Sequence, residues 1–136
     1  MDVIALVGRI LFVFVFVGSA IGHFTQTDAM AGYAGSKGVP SAKIATLGTG
    51  ALQIVGALML LLGVWADLGA LLLVIFLLPT AFLMHPFWKE TDPQAKQMAM
   101  TQFSKDLSLA GAALLFFGLY AGAGSELGLT ITGPLF

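Results

Sequence analysis

Four stretches of the chain, residues 3–22, 44–64, 68–84 and 107–123, are almost free of polar side chains. A helix needs about 20 apolar residues to cross the hydrocarbon core, and it satisfies every backbone polar group within its own segment. Together the four stretches hold 75 residues and one charge, Arg9; the other 61 residues hold the remaining 12 charges. That segregation predicts an all-α integral membrane four-helix bundle in a single membrane domain, residues 1–136. With the third stretch extended through Trp88 and the fourth back to Phe103, the spans are 3–22, 44–64, 68–88 and 103–123. The first could be mistaken for a secretory leader. Asp2 is wrong for a basic leader, and the apolar character lasts to Gly22, so it is read as a span.

The connections carry signals of their own. Between spans one and two, Met30, Tyr33, Ala34 and Lys37 recur at helical spacing, with Thr27 or Asp28 as a cap and Gly38 and Pro40 as terminators. This predicts a short interfacial helix lying along the membrane surface. Ser41 stands where an N-cap for span two belongs. Only Trp65, Ala66 and Asp67 separate spans two and three, so those helices are antiparallel neighbours. Asp92-Pro93 supplies a cap and an N1 proline for a helix that can run unbroken into span four. Pro79 frees the carbonyl of Ile75, and a kink is expected there. The tail 124–136, rich in Gly and Thr, reads as a short extension beyond the bundle. Small residues at four-residue spacing (Gly18 and Gly22; Ala42, Thr46 and Gly50; Ser104, Ser108 and Ala112; Gly118 and Gly122) predict close helix packing.

Composition narrows the chemistry. With 58% hydrophobic and 10% charged residues and a mean hydropathy of +0.96, the chain is no soluble globular domain. A net charge of -1 supplies no field for a nucleic-acid backbone. The absence of cysteine excludes thiol chemistry and Cys-ligated metals within the chain. No nucleophile elbow, phosphate loop or dinucleotide fingerprint is present, and no metal site or catalytic residue is expected.

A few polar residues then stand out. Arg9 lies roughly 9 Å inside span one, at 1.5 Å per residue, and needs either a route to lipid phosphate or a partner. Asp67 and Glu126 share its side of the membrane as ion-pair candidates, and an anionic ligand is the third possibility. Gln53 is the sole amide in the middle of a span, suited to an interhelical hydrogen bond or to a quinone carbonyl. His23 and His85 end spans one and three on one face. Neutral imidazoles there can anchor the interface, contact a quinone or move protons; no spacing supports haem or metal ligation. Lys105-Asp106 reads as an exposed charge pair at the start of span four.

Several segments together resemble the DoxX family of small four-helix bacterial membrane proteins. They are Gly8-Arg9-Ile10, the Gly32-Tyr33 and Gly38-Val39-Pro40 elements, Ala51 to Gly56, the junction Leu62 to Ala70, His85-Pro86-Phe87-Trp88, and Phe103 to Gly111. The likeness runs from about Gly8 to Gly122. It implies a multi-pass protein of the bacterial inner membrane, related to the DoxD and DoxA subunits of a thiosulfate:quinone oxidoreductase and to oxidative-stress complexes. Gln53 stands where relatives often carry Glu, and Asp106 where Asn is common; an amide at position 53 does not titrate.

Two functional classes follow. One is a non-catalytic accessory or anchoring subunit of a membrane redox assembly, docking its partner through Tyr33, Trp88 and Lys89. The other is the quinone-binding subunit of an oxidoreductase, with His23, Gln53 and His85 at the quinone or its proton path. A small-solute transporter is weaker, because four helices would have to form a homo-oligomer to make a pathway.

Positive charge favours the cytoplasmic side. Lys37, Lys43, Lys89, Lys96 and Lys105 lie on the side of the two long connections and only Arg9 on the side of the termini. Both termini are therefore expected outside. An alkaline-phosphatase fusion at Phe136 should be active, and a cytoplasmic fluorescent reporter at the same position dark.

Overall fold

The computed structural model describes residues 1–124 and 126–136. Helix α1 spans Asp2–Thr25, α2 Thr27–Ser36, α3 Ala42–Leu62, α4 Ala66–Met84 and α5 Pro93–Ala123, with 3-10 turns at Phe87–Lys89 and Gly124–Glu126. No strand occurs among the described residues. Helices α1, α3, α4 and α5 are long and apolar enough to cross a membrane, and α2 is the predicted short helix between the first two spans. The protein is an all-α, multi-pass membrane bundle.

Helix α3 packs between α1 and α4, and α4 between α3 and α5, while α1 meets α5 through large side chains such as Phe12 and Phe116, ring centroids 5.0 Å apart. Inside lie Val13, Phe16, Leu60, Leu73 and Leu77; Phe14, Ile44, Ile75 and Leu115 face outward. Apolar residues on both faces are what lipid on one side and a protein core on the other require.

The close approaches run through Gly50, which the spacing picked out, and through Gly56 and Gly69, which it did not. A methyl on Gly69 would meet Met59 Cβ at 2.8 Å and the Gly56 carbonyl at 2.9 Å, so α3 and α4 touch backbone to backbone. A methyl on Gly50 would lie 2.7 Å from His23 Cβ. Gly18, Gly118 and Gly122 have open space where a methyl would go, and so do not serve the bundle's packing. Periodicity finds a helix face; only packing says whether it meets protein or lipid.

Helix boundaries depart from the sequence reading for local reasons. Asp92 caps α5 as expected, its Oδ2 accepting from Ala95 N at 2.8 Å, and α5 runs on for 31 residues. The cap of α2 is Gln26; the Thr27 hydroxyl instead donates to the His23 carbonyl at 2.7 Å. Ser41 does precede α3, but in a left-handed conformation (φ 48°) and with no side-chain cap. Helix α4 continues through Pro79. The turn between α3 and α4 is Gly63 to Trp65 rather than Trp65 to Asp67: Gly63 takes a left-handed φ of 67°, which glycine adopts without strain, and ends α3 there. Asp67 thereby moves into the first turn of α4.

The larger correction is the tail, which folds back onto the bundle. Ile131 N donates to the carbonyls of Leu62 and Gly63, Thr132 N donates to Gly63, and Trp65 N donates to the Thr132 hydroxyl at 2.8 Å. The buried Arg9 donates Nη2 to the Leu129 carbonyl at 2.7 Å, and the buried Asp67 accepts with Oδ2 from Leu135 N and Phe136 N, both at 2.8 Å. Phe136 rests against Phe117.

If α3 and α4 meet through backbone, Gly69→Ala should overpack the interface and cost about 1–3 kcal/mol, whereas Gly118→Ala should leave stability within about 0.5 kcal/mol of the parent. Thermal denaturation of both variants in detergent checks the contrast.

Candidate binding cavity

A cavity of about 530 Å³ lies between α1, α3, α4 and α5 on the side of the long connections, with α2 against it. Its walls are mostly apolar, Phe16, Leu52, Phe76 and Leu109 among them. Each helix adds polar groups: Ser19 and His23 from α1, Thr46, Thr49 and Gln53 from α3, Thr80 from α4, and Lys105 and Asp106 from α5, with His85 just after α4. Met30 and Tyr33 of α2 also line it.

The α1–α3 contact at Gly50 brings His23 against α3. His23 Nδ1 lies 2.8 Å from the Thr46 carbonyl and 3.2 Å from the Thr49 hydroxyl, and Gln53 Nε2 lies 3.2 Å from His23 Nε2. A carbonyl oxygen only accepts, so Nδ1 carries the hydrogen. The neutral ring then offers Nε2 as an acceptor, and the Gln53 amide donates to it. Gln53 Oε1 is left buried without a partner. His23 and Gln53, two of the three quinone or proton-path candidates, are thus joined directly.

His85, the third, faces a different partner. Its Nε2 lies 3.6 Å from Asp106 Oδ2, too long for a hydrogen bond but within ion-pair reach when the ring is protonated. Asp106 is not an exposed member of a charge pair. Because α5 starts at Pro93, residue 106 falls more than three turns into the helix and is 5% exposed, while Lys105 donates Nζ to the Gln102 amide oxygen. The signal was present in Asp92-Pro93: once the helix begins there, a carboxylate at 106 is inside a span, where ionisable residues mark function.

Helix α2 is fastened over this end. Tyr33 donates its hydroxyl to the Met84 carbonyl at 3.3 Å, Lys37 pairs with Glu90 at 3.1 Å, and Lys43 pairs with Asp28 at 2.8 Å. The hydrogen bond to Glu90 raises the Lys37 pKa above the ordinary lysine value. The Lys43–Asp28 pair is exposed and stabilises little, serving mainly to set position. Tyr33, Trp88 and Lys89 are exposed on the same face, Trp88 within an aromatic group of Phe82, Phe87 and Phe103.

Arg9, Asp67 and Glu126 belong to the opposite end. The ion pairs among the described residues are Lys37–Glu90, Lys43–Asp28 and His85–Asp106, so Arg9 reaches neither Asp67 nor Glu126. The irregular backbone of the tail comes between them and supplies both side chains with hydrogen-bond partners. The chain signalled each polar residue separately; the α2 wall and the tail contacts join residues far apart in sequence and had no local signature.

The DoxX family model matches residues 4–86. The chain is 29% identical over 132 residues to inner membrane protein YphA of Escherichia coli (strain K12), an alignment covering 97% of this chain and 84% of that protein. No solved structure matches it. The chain belongs to the DoxX family.

Because both ring nitrogens of His23 are engaged and buried, His23→Phe should destabilise the bundle by about 0.6–2 kcal/mol for each hydrogen bond lost within lipid. His85→Phe, which loses none, should change stability less. Melting temperatures of the two variants in detergent make the comparison.

Proposed function

We propose that this DoxX-family membrane protein is a subunit of a redox assembly and that its cavity holds a quinone-type lipid. The observation that carries the reading is an apolar cavity of about 530 Å³ with two imidazole-centred polar groups in its wall. Small-molecule sites of this kind are roughly 300–1,000 Å³, mostly apolar, with a few polar groups fixing orientation. A quinone ring and its isoprenoid tail match that description. The buried, unpartnered Gln53 Oε1 and Asp106 Oδ2 are the vacant polar positions expected beside a polar ring substituent.

A bound quinone supplies two-electron, two-proton redox chemistry. In this reading the chain's own residues bind and orient. His23, held in one tautomer by Thr46, fixes the Gln53 amide; His85 holds a proton at Nε2 with Asp106 behind it. The chain contains no cysteine, and the reading assigns the electron donor to a partner. That partner docks on the face carrying Tyr33, Trp88 and Lys89, which the charge count orients toward the cytoplasm.

Gentle solubilisation, purification, solvent extraction and chromatography should recover quinone with the wild-type protein, in near-stoichiometric amount. The content should fall several-fold in His85→Ala. Quinone no richer than in a membrane protein control purified alongside would overturn the cavity assignment. Recovery of the protein with respiratory or peroxide-defence partners but without quinone would favour a purely anchoring subunit.

A further inference from the structure

The hydrogen-bond inventory of the cavity wall is lopsided. Its hydroxyl donors are mostly engaged with the protein's own backbone: Thr46 donates to Ala42 O, Thr49 to Ala45 O, Thr80 to Phe76 O, and Tyr33 to Met84 O. His23 Nδ1 donates to Thr46 O, and the Gln53 amide nitrogen donates to His23 Nε2. The buried side-chain atoms of the wall that lack a partner are both oxygens, Gln53 Oε1 and Asp106 Oδ2. Ser19 can turn its hydroxyl either way, His85 Nε2 faces Asp106, Gln53 Nε2 keeps a second N–H, and Lys105, exposed at the rim, donates Nζ to the Gln102 amide oxygen.

A buried acceptor left without any donor is costly, and a ligand head that donates to it removes that cost. Here the imbalance has one cause. The Thr46 carbonyl dictates the His23 tautomer, the tautomer dictates which way the Gln53 amide turns, and the amide is left with its oxygen toward an unmet donor. Gln53 does not titrate, so this preference is fixed by geometry. We infer that the cavity selects an apolar molecule whose head carries O–H or N–H donors, and so holds the hydroxyl-bearing, reduced form of a quinone in preference to the oxidised form. The inference deepens the quinone reading and rests on it for the identity of the ring, but the donor requirement comes from the wall alone. A lipophilic amine satisfies the same oxygens, and the test separates the two.

The purified full-length protein in detergent is titrated anaerobically with decyl-ubiquinol, with decyl-ubiquinone, and with decylamine, binding being read by calorimetry and by thermal shift. The quinol should bind about tenfold or more tightly than the quinone, the equivalent of one buried hydrogen bond gained. Gln53→Met should remove most of that preference. Asp106→Asn, which offers an N–H in place of a carboxylate oxygen, should narrow it toward the quinone and serves if the Gln53 variant does not fold. Equal or tighter binding of the quinone would overturn the donor inference and leave the quinone reading standing. Binding of decylamine with neither quinone form would overturn the quinone reading and keep the donor inference, and no binding of any probe would overturn both.

Discussion

The bilayer interior offers no water, so every polar group that enters it must be satisfied by the chain itself. The backbone meets this demand by running as helix through all four spans. Hydroxyls meet it by bonding a carbonyl one turn back, as Thr25 does to Ile21, Thr46 to Ala42, Thr49 to Ala45 and Thr80 to Phe76. Once these routine solutions are set aside, the polar groups left over are few, and they fall into two clusters, one toward the termini and one around the cavity.

The two ends use them differently. At the end of the termini, Arg9 and Asp67 are buried side chains whose partners are backbone groups of the returning tail. The tail has no regular structure, so its own N–H and C=O groups need acceptors and donors, and the two charged side chains and the Gly63 turn provide them. Those bonds tie this end down, while Arg9 Nε and Nη1 and Asp67 Oδ1 stay buried without a partner. The other end keeps a cavity, with α2 against it, and its polar wall is incompletely satisfied.

The helices approach one another unevenly. Gly50 lets α1 approach α3 at His23, and Gly56 with Gly69 lets α3 approach α4. Helices α1 and α5 are instead held apart by rings, Phe12 against Phe116. The same close approach that seats His23 on α3 sets the amide of Gln53.

How much of this was readable from the residues depends on the range of the interaction. The membrane bundle, its four spans, α2 and the Asp92 cap followed from periodicity and capping chemistry, because each depends on side chains within a few turns of one another. The same local reasoning singled out His23, Gln53, His85 and Arg9, since a polar residue inside an apolar run is conspicuous wherever the run ends up. It could not say what they touch. The His23–Gln53 bond joins α1 to α3, the His85–Asp106 contact spans the α4–α5 connection, and the tail reaches back from residues 129–136 to Arg9 and Asp67. Which glycines face protein and which face lipid is likewise a property of helix rotation within the bundle, on which spacing is silent. The sequence by itself determined that this chain crosses a membrane four times and which polar groups it takes in. The tertiary structure alone decided which of those groups satisfy each other and which are left unpaired, because hydrogen-bond partners in lipid are chosen by the packing of helices distant along the chain.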